Sequence, residues 1–165
     1  MIAFALLLAA VNLPSPDLAT AGAQDKDATA ISSYIQSQAR RERGEEYEDA
    51  RKVVTGDLDG DGSPETVVLY TIESQGGSNN YIQYLAVLSR SGNKLVPLAN
   101  VAVGGKSRRS VELDGVEVGK VKLNTLTYGP NDASCCPSIK GPTIYLLTGK
   151  TLREQKPPQR RGRHN

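Results

Sequence analysis

Apolar residues along this chain change their period near residue 44. Before it, in DATAISSYIQSQARRER, Ile31, Tyr34, Ile35 and then Gln38 recur at i, i+3, i+4 and i+7 spacing, which marks one face of a helix beginning near Asp27. Asp25 or Asp27 can cap its start. Arg40, Arg41 and Arg43 suit the negative end of its dipole, and Gly44 is a stop signal. The arginine cluster reads as a solvated helix end. After Gly44, short apolar runs alternate with Gly, Asn, Asp and Ser turns. They predict strands near 51–56, 65–73, 81–90, 94–103, 108–114, 116–128 and 142–149, with a last one at 151–155. Gaps this short suit antiparallel hairpins rather than crossovers. SGN at 91–93 and Asp114-Gly115 are turn signals, and the longest connection is GPNDASCCPSIKG, 129–141.

The same pattern predicts burial. Val67 to Ile72 and Leu85 to Leu88 are apolar on both faces, so these strands belong in the centre, covered on two sides. Pro97 lacks the N–H that a ladder needs and predicts an edge or a bulge. Val111, Leu113, Val121 and Leu123 alternate with Glu112, Asp114, Lys122 and Asn124, which leaves those strands one wet face. The fold class that follows is α+β, mostly β. One N-terminal helix packs on an antiparallel meander that curls into a sandwich-like or half-barrel body. No internal repeat is present, which argues against a propeller or solenoid.

The first residues change the compartment. Ile2 to Val11 form an apolar run of secretory length, short for a membrane span, and Ala21-Gly22-Ala23 places small side chains before Gln24. No Lys or Arg precedes the run, a departure from the usual signal. The organisation expected is a signal peptide at 1–23, one α+β domain at 24–155 and a disordered basic tail at 156–165. The mature chain is expected in the periplasm or secreted, without a transmembrane span. The formal charge of +2 is unevenly placed: Lys156, Arg160, Arg161 and Arg163 lie in the last ten residues, and the body is near neutral. Nucleic-acid binding needs a clustered basic face and is not expected; the tail suits a weak contact with an anionic surface.

Residues 57 to 65, DLDGDGSPE, carry the densest chemistry. Counting Asp57 as position 1 puts Asp59 at 3, Asp61 at 5, Gly62 at 6, Ser63 at 7 and Glu65 at 9. Carboxylates at 1, 3 and 5 with glycine at 6 can wrap Ca²⁺, Ser63 adding its carbonyl and Glu65 coordinating directly or through water. An EF-hand also needs Glu at position 12, which here is Val68 in a strand-like run. With strands on both sides, the loop resembles the calcium hairpin of FG-GAP repeats in integrin-type propellers, pattern D-x-D-x-D-G-x-x-D/E. That resemblance implies a loop joining two strands, with Asp57, Asp59, Asp61, the Ser63 carbonyl and Glu65 as ligands. It covers the loop alone, and the family repeats the motif where this chain has it once. It implies a structural calcium site and no activity.

Cys135 and Cys136 are the only cysteines. Neighbouring Cα atoms lie about 3.8 Å apart, below the range of about 4.4–6.8 Å that disulfides prefer, so a vicinal bond needs a tight ring. The open readings are a vicinal disulfide, two thiols or intermolecular bonds, and a redox or soft-metal role. The only histidine, His164, is in the tail, so the body offers no Ser-His-Asp or Cys-His arrangement and a poor catalytic zinc site. Gly105-Lys106-Ser107 resembles the end of a phosphate loop, but its first glycine is replaced by Asn100. The chain has no Trp to serve as a sugar platform. A non-enzymatic, calcium-stabilised binding or envelope protein fits best. The alternatives are a thiol–disulfide or soft-metal protein acting through Cys135 and Cys136, and a small metal-assisted hydrolase.

Overall fold

The structure is a computed structural model and describes residues 18–156. Most of the expected signal segment and the basic tail beyond Lys156 lie outside these residues. The elements are α1 (Leu18–Glu42), β1 (Glu45–Glu46), β2 (Lys52–Gly56), β3 (Glu65–Glu73), β4 (Tyr81–Ser91), β5 (Lys94–Gly105), β6 (Arg109–Glu117), β7 (Lys120–Thr127), β8 (Ile139–Thr148) and β9 (Thr151–Glu154). All strand pairs are antiparallel and form one path, β1-β3-β4-β5-β6-β7-β8-β9, with β2 also pairing β3. The path is not closed into a barrel.

A single residue pair, Gly105↔Arg109, joins β5 to β6. There the meander folds over and its two halves face each other. Leu69, Leu85, Val87 and Val103 from the first half pack with Val111, Val121, Leu123 and Tyr145 from the second. On the other face of β3 and β4, Val68, Tyr70, Ile72 and Ala86 pack against Ile31, Ile35 and Ala39 of α1. The result is three layers: helix, half-sheet, half-sheet. The strands expected to be apolar on both faces, β3 and β4, are those covered twice. Each large side chain fully buried between layers contributes roughly 1.5–3 kcal/mol by leaving water.

Two devices hold the fold-over where the backbone ladder is missing. Gln83, on β4, uses its side-chain amide as a strand edge: Nε2 donates to the Val111 carbonyl at 3.0 Å, and Oε1 accepts from the Val111 N–H at 3.0 Å. This needs glycine at 104, because a Cβ there would lie 2.5 Å from Gln83 Oε1 and 2.9 Å from the Arg109 carbonyl. Arg109 then bridges to the last strand. Its guanidinium donates to Glu154 Oε2 at 2.7 Å, to Glu154 Oε1 at 3.0 Å and to the Tyr145 hydroxyl at 2.8 Å. The Arg109 guanidinium holds the Glu154 carboxyl below its ordinary range.

Three details bear on the sequence expectations. Pro97 sits beside a bulge: Leu88 pairs with Pro97 and Val87 with Ala99, leaving Leu98 extra. Asp114-Gly115 is a bulge inside β6, not a turn; the chain reverses at Val118-Gly119 instead. That choice keeps Val116 packed against the core, and Asn124 Nδ2 donates to Asp114 Oδ1 at 3.0 Å. The helix is already running at Leu18, so Asp25 and Asp27 lie within it. No helix breaker other than Gly22 separates Leu18 from Asp27, and Ala is the strongest helix former. Asp27 pairs with Arg90 of β4 rather than capping.

Candidate functional site: the acidic loop and the cysteine loop

The acidic residues lie in the hairpin connection between β2 and β3, which pair in register from Lys52↔Leu69 to Gly56↔Glu65. The loop turns tightly enough to require Gly60 at φ 83° and Gly62 at φ 87°, left-handed conformations that a side chain would strain. Carboxylate oxygens of Asp57, Asp59 and Asp61 all fall within 4.8 Å of one another. Each accepts loop amides. Asp57 takes the N–H of Gly60 at 2.8 Å and of Gly62 at 3.1 Å, Asp59 takes Asp61 N–H at 3.1 Å, and Asp61 takes Ser63 N–H at 2.7 Å. These bonds orient the carboxylates, and Asp59 and Asp61 each keep one oxygen free of them. The donor set is all oxygen, which matches a hard cation rather than a soft one.

Glu65 stands apart from that group. It is buried at 2% exposure, and its Oε2 accepts the N–H of Leu58 at 2.8 Å and of Asp59 at 3.2 Å. It therefore fastens the front of the loop to the first residue of β3. Ser63 is exposed at the rim.

Between the acidic residues, Leu58 points the other way. It is fully buried and belongs to the core between the two half-sheets. Its carbonyl accepts the Gly119 N–H at 2.6 Å, and the Gly119 carbonyl accepts the Leu147 N–H at 3.2 Å. The loop thus reaches from the β2–β3 hairpin across to the β6–β7 turn. Its wet side gathers three carboxylates; its dry side plugs the core. An apolar residue enclosed by acids is the sequence signal for this plug.

The cysteines occupy the connection between β7 and β8, at the opposite end of β7 from Gly119. The sulfurs of Cys135 and Cys136 lie at bonding distance, with Cα atoms 3.8 Å apart, and both residues are exposed. The frame around them is Asp132. Its Oδ2 accepts the Gly129 N–H at 2.7 Å and the Ser138 N–H at 2.8 Å, and its Oδ1 accepts the Ser138 hydroxyl at 2.8 Å. These donors, the Gly129 amide first, hold the Asp132 carboxyl below its usual range. Tyr128 donates to the Ser134 carbonyl at 2.7 Å, and Cys136 N–H to the Ala133 carbonyl at 2.9 Å. Nothing in the sequence pattern singled out Asp132, because one Asp in a loop is an ordinary turn residue.

Gly105-Lys106-Ser107 forms the β5–β6 turn, with Lys106 Nζ donating to the Asn79 carbonyl at 3.1 Å. Among the described residues, no helix is long and apolar enough to cross a membrane. No known family model matches this chain, and neither a curated protein nor a solved structure matches it. Its architecture and loops therefore rest on their own geometry.

Proposed function

We propose that this is a small exported binding or envelope module, non-enzymatic, whose fold is stabilised by Ca²⁺ in the 57–65 loop. The observation that carries the reading is the gathering of Asp57, Asp59 and Asp61 on the wet side of a loop whose next residue, Leu58, is a core plug. A cation that draws the carboxylates together fixes the loop, and the loop fixes Leu58 and the β6–β7 turn. The ligands proposed are Asp57, Asp59, Asp61 and the Ser63 carbonyl, with Glu65 acting as an anchor for the loop amides or through water. The resemblance to the FG-GAP calcium hairpin supports the same assignment. So does the export expected from the N-terminus, since millimolar extracellular calcium suits a modest site.

The test is thermal unfolding of the mature chain in EDTA and in about 1 mM Ca²⁺. A site of extracellular affinity adds roughly 0.4–1.4 kcal/mol to the folded state at that concentration, a rise of about 1–5 °C for a domain of this size. Mg²⁺, which prefers rigid octahedral sites, is expected to do less. Identical melting in EDTA and Ca²⁺ would remove the proposal.

A further inference from the structure

We propose that the Cys135–Cys136 loop is a thiol–disulfide exchange site for a cysteine-containing peptide seated on the outer face of β6, β7 and β8. Three observations lead there, all independent of the acidic loop. First, a disulfide stabilises mainly by closing a loop of chain in the unfolded state, and one between neighbours closes none. Second, Asp132 clasps Gly129 and Ser138 on either side of the pair, so the frame stands without the S–S bond. The bond is thus surplus to the fold, and it is exposed. Third, an open groove of about 480 Å³ begins at the strand pair that carries the loop. It is lined by Ser110, Glu112, Asn124, Leu126, Lys140 and Pro142.

Register fixes the layout of that groove. Ser110, Leu126 and Lys140 form one row across the three strands, and Glu112, Asn124 and Pro142 form the next. Thr127↔Ile139, the pair at the foot of the cysteine loop, comes just before the first row. Lys140 and Glu112 therefore offer opposite charges two strands and two residues apart, about 12 Å along the diagonal. That spacing suits the carboxylate and ammonium of a short peptide, with Leu126 and Pro142 beneath its chain.

The chemistry balances without an outside oxidant. The peptide's thiolate attacks one sulfur, the Cys135–Cys136 bond breaks, and a mixed disulfide forms while the other cysteine leaves as a thiolate and takes up a proton. A second peptide thiolate attacks the mixed disulfide. The products are the peptide disulfide and two protein thiols, so two thiols are oxidised for one protein disulfide reduced.

The experiment measures opening of the disulfide in the folded full chain by reduced glutathione and by 2-mercaptoethanol at matched thiolate concentration. Reactions are quenched by alkylation and read by intact mass. Glutathione is expected to react roughly tenfold faster, the value of one charge-assisted contact. Lys140→Glu should abolish that preference while leaving the mercaptoethanol rate unchanged, and Lys140→Arg should retain it; circular dichroism verifies that both variants fold. Equal rates for the two thiols in the wild type, an unchanged preference in Lys140→Glu, or a protein that carries two free thiols after air oxidation would each overturn the proposal.

Discussion

The two loops that carry this protein's conspicuous residues are built in opposite ways. The acidic loop is turned inward: Leu58 is fully buried, Glu65 is 2% exposed, and the Leu58 carbonyl binds the β6–β7 turn. The cysteine loop is turned outward, with both cysteines exposed and its hydrogen bonds closing on itself through Asp132. Perturbing the first should reach the whole molecule, because its side chains bridge two layers. Perturbing the second should stay local. Position relative to the core, not density of charge or reactivity, decides which loop governs stability.

The comparison breaks first at Leu58. Leu58→Ala removes a plug shared by both half-sheets and should cost about 2–5 kcal/mol in urea unfolding, because a core this tight collapses little around a cavity. A loss under about 1 kcal/mol would mean the loop is not coupled to the core. Next comes the fold-over itself. Gly104→Ala sets a methyl against Gln83 Oε1 and the Arg109 carbonyl, and should cost roughly 1–3 kcal/mol by the same measurement. If Gly104→Ala is silent, the Gln83 amide is not the joint between β4 and β6.

Smaller effects sharpen the other side. Asp132 has its carboxyl depressed by the Gly129 and Ser138 donors. The contribution of a depressed carboxylate is present above the ordinary, unfolded-state value and is lost as pH falls through the lowered one. Acidification below about pH 4 should therefore lower the protection of the Gly129 and Ser138 amides, relative to their intrinsic exchange rates, selectively, and Asp132→Asn should remove that pH dependence. Simultaneous change below pH 4 in the Leu58 amide would contradict the isolation of this loop. The smallest effect is expected from Cys135→Ser with Cys136→Ser: melting within about 0.5 kcal/mol of wild type, as for other exposed positions away from packing.

Much of this architecture was legible in the chain. Two-sided apolar runs located β3 and β4 in the middle, because a strand covered on both faces cannot alternate. Alternation at Val111, Val121 and Leu123 located the one-sided half, and Pro97 announced its bulge. What escaped was long-range. The fold-over depends on Gln83 reaching Val111, 28 residues away, and a glutamine in a strand carries no mark of its partner. Asp114-Gly115 misled because a bulge and a turn use the same residues; the burial of Val116 decided between them. In the acidic loop, spacing identified the three aspartates that meet, but carried no mark of the backbone amides of Leu58 and Asp59 that one oxygen of Glu65 accepts.

A cation at the three aspartates would tighten the joint between the half-sheets. Amide hydrogen exchange with and without Ca²⁺ tests it directly, read at Leu58 and Gly119, whose N–H groups bond to Glu65 and to the Leu58 carbonyl. Calcium at about 1 mM should slow both amides and leave Gly129 and Ser138 unchanged. Exchange at Leu58 and Gly119 that ignores calcium would contradict it.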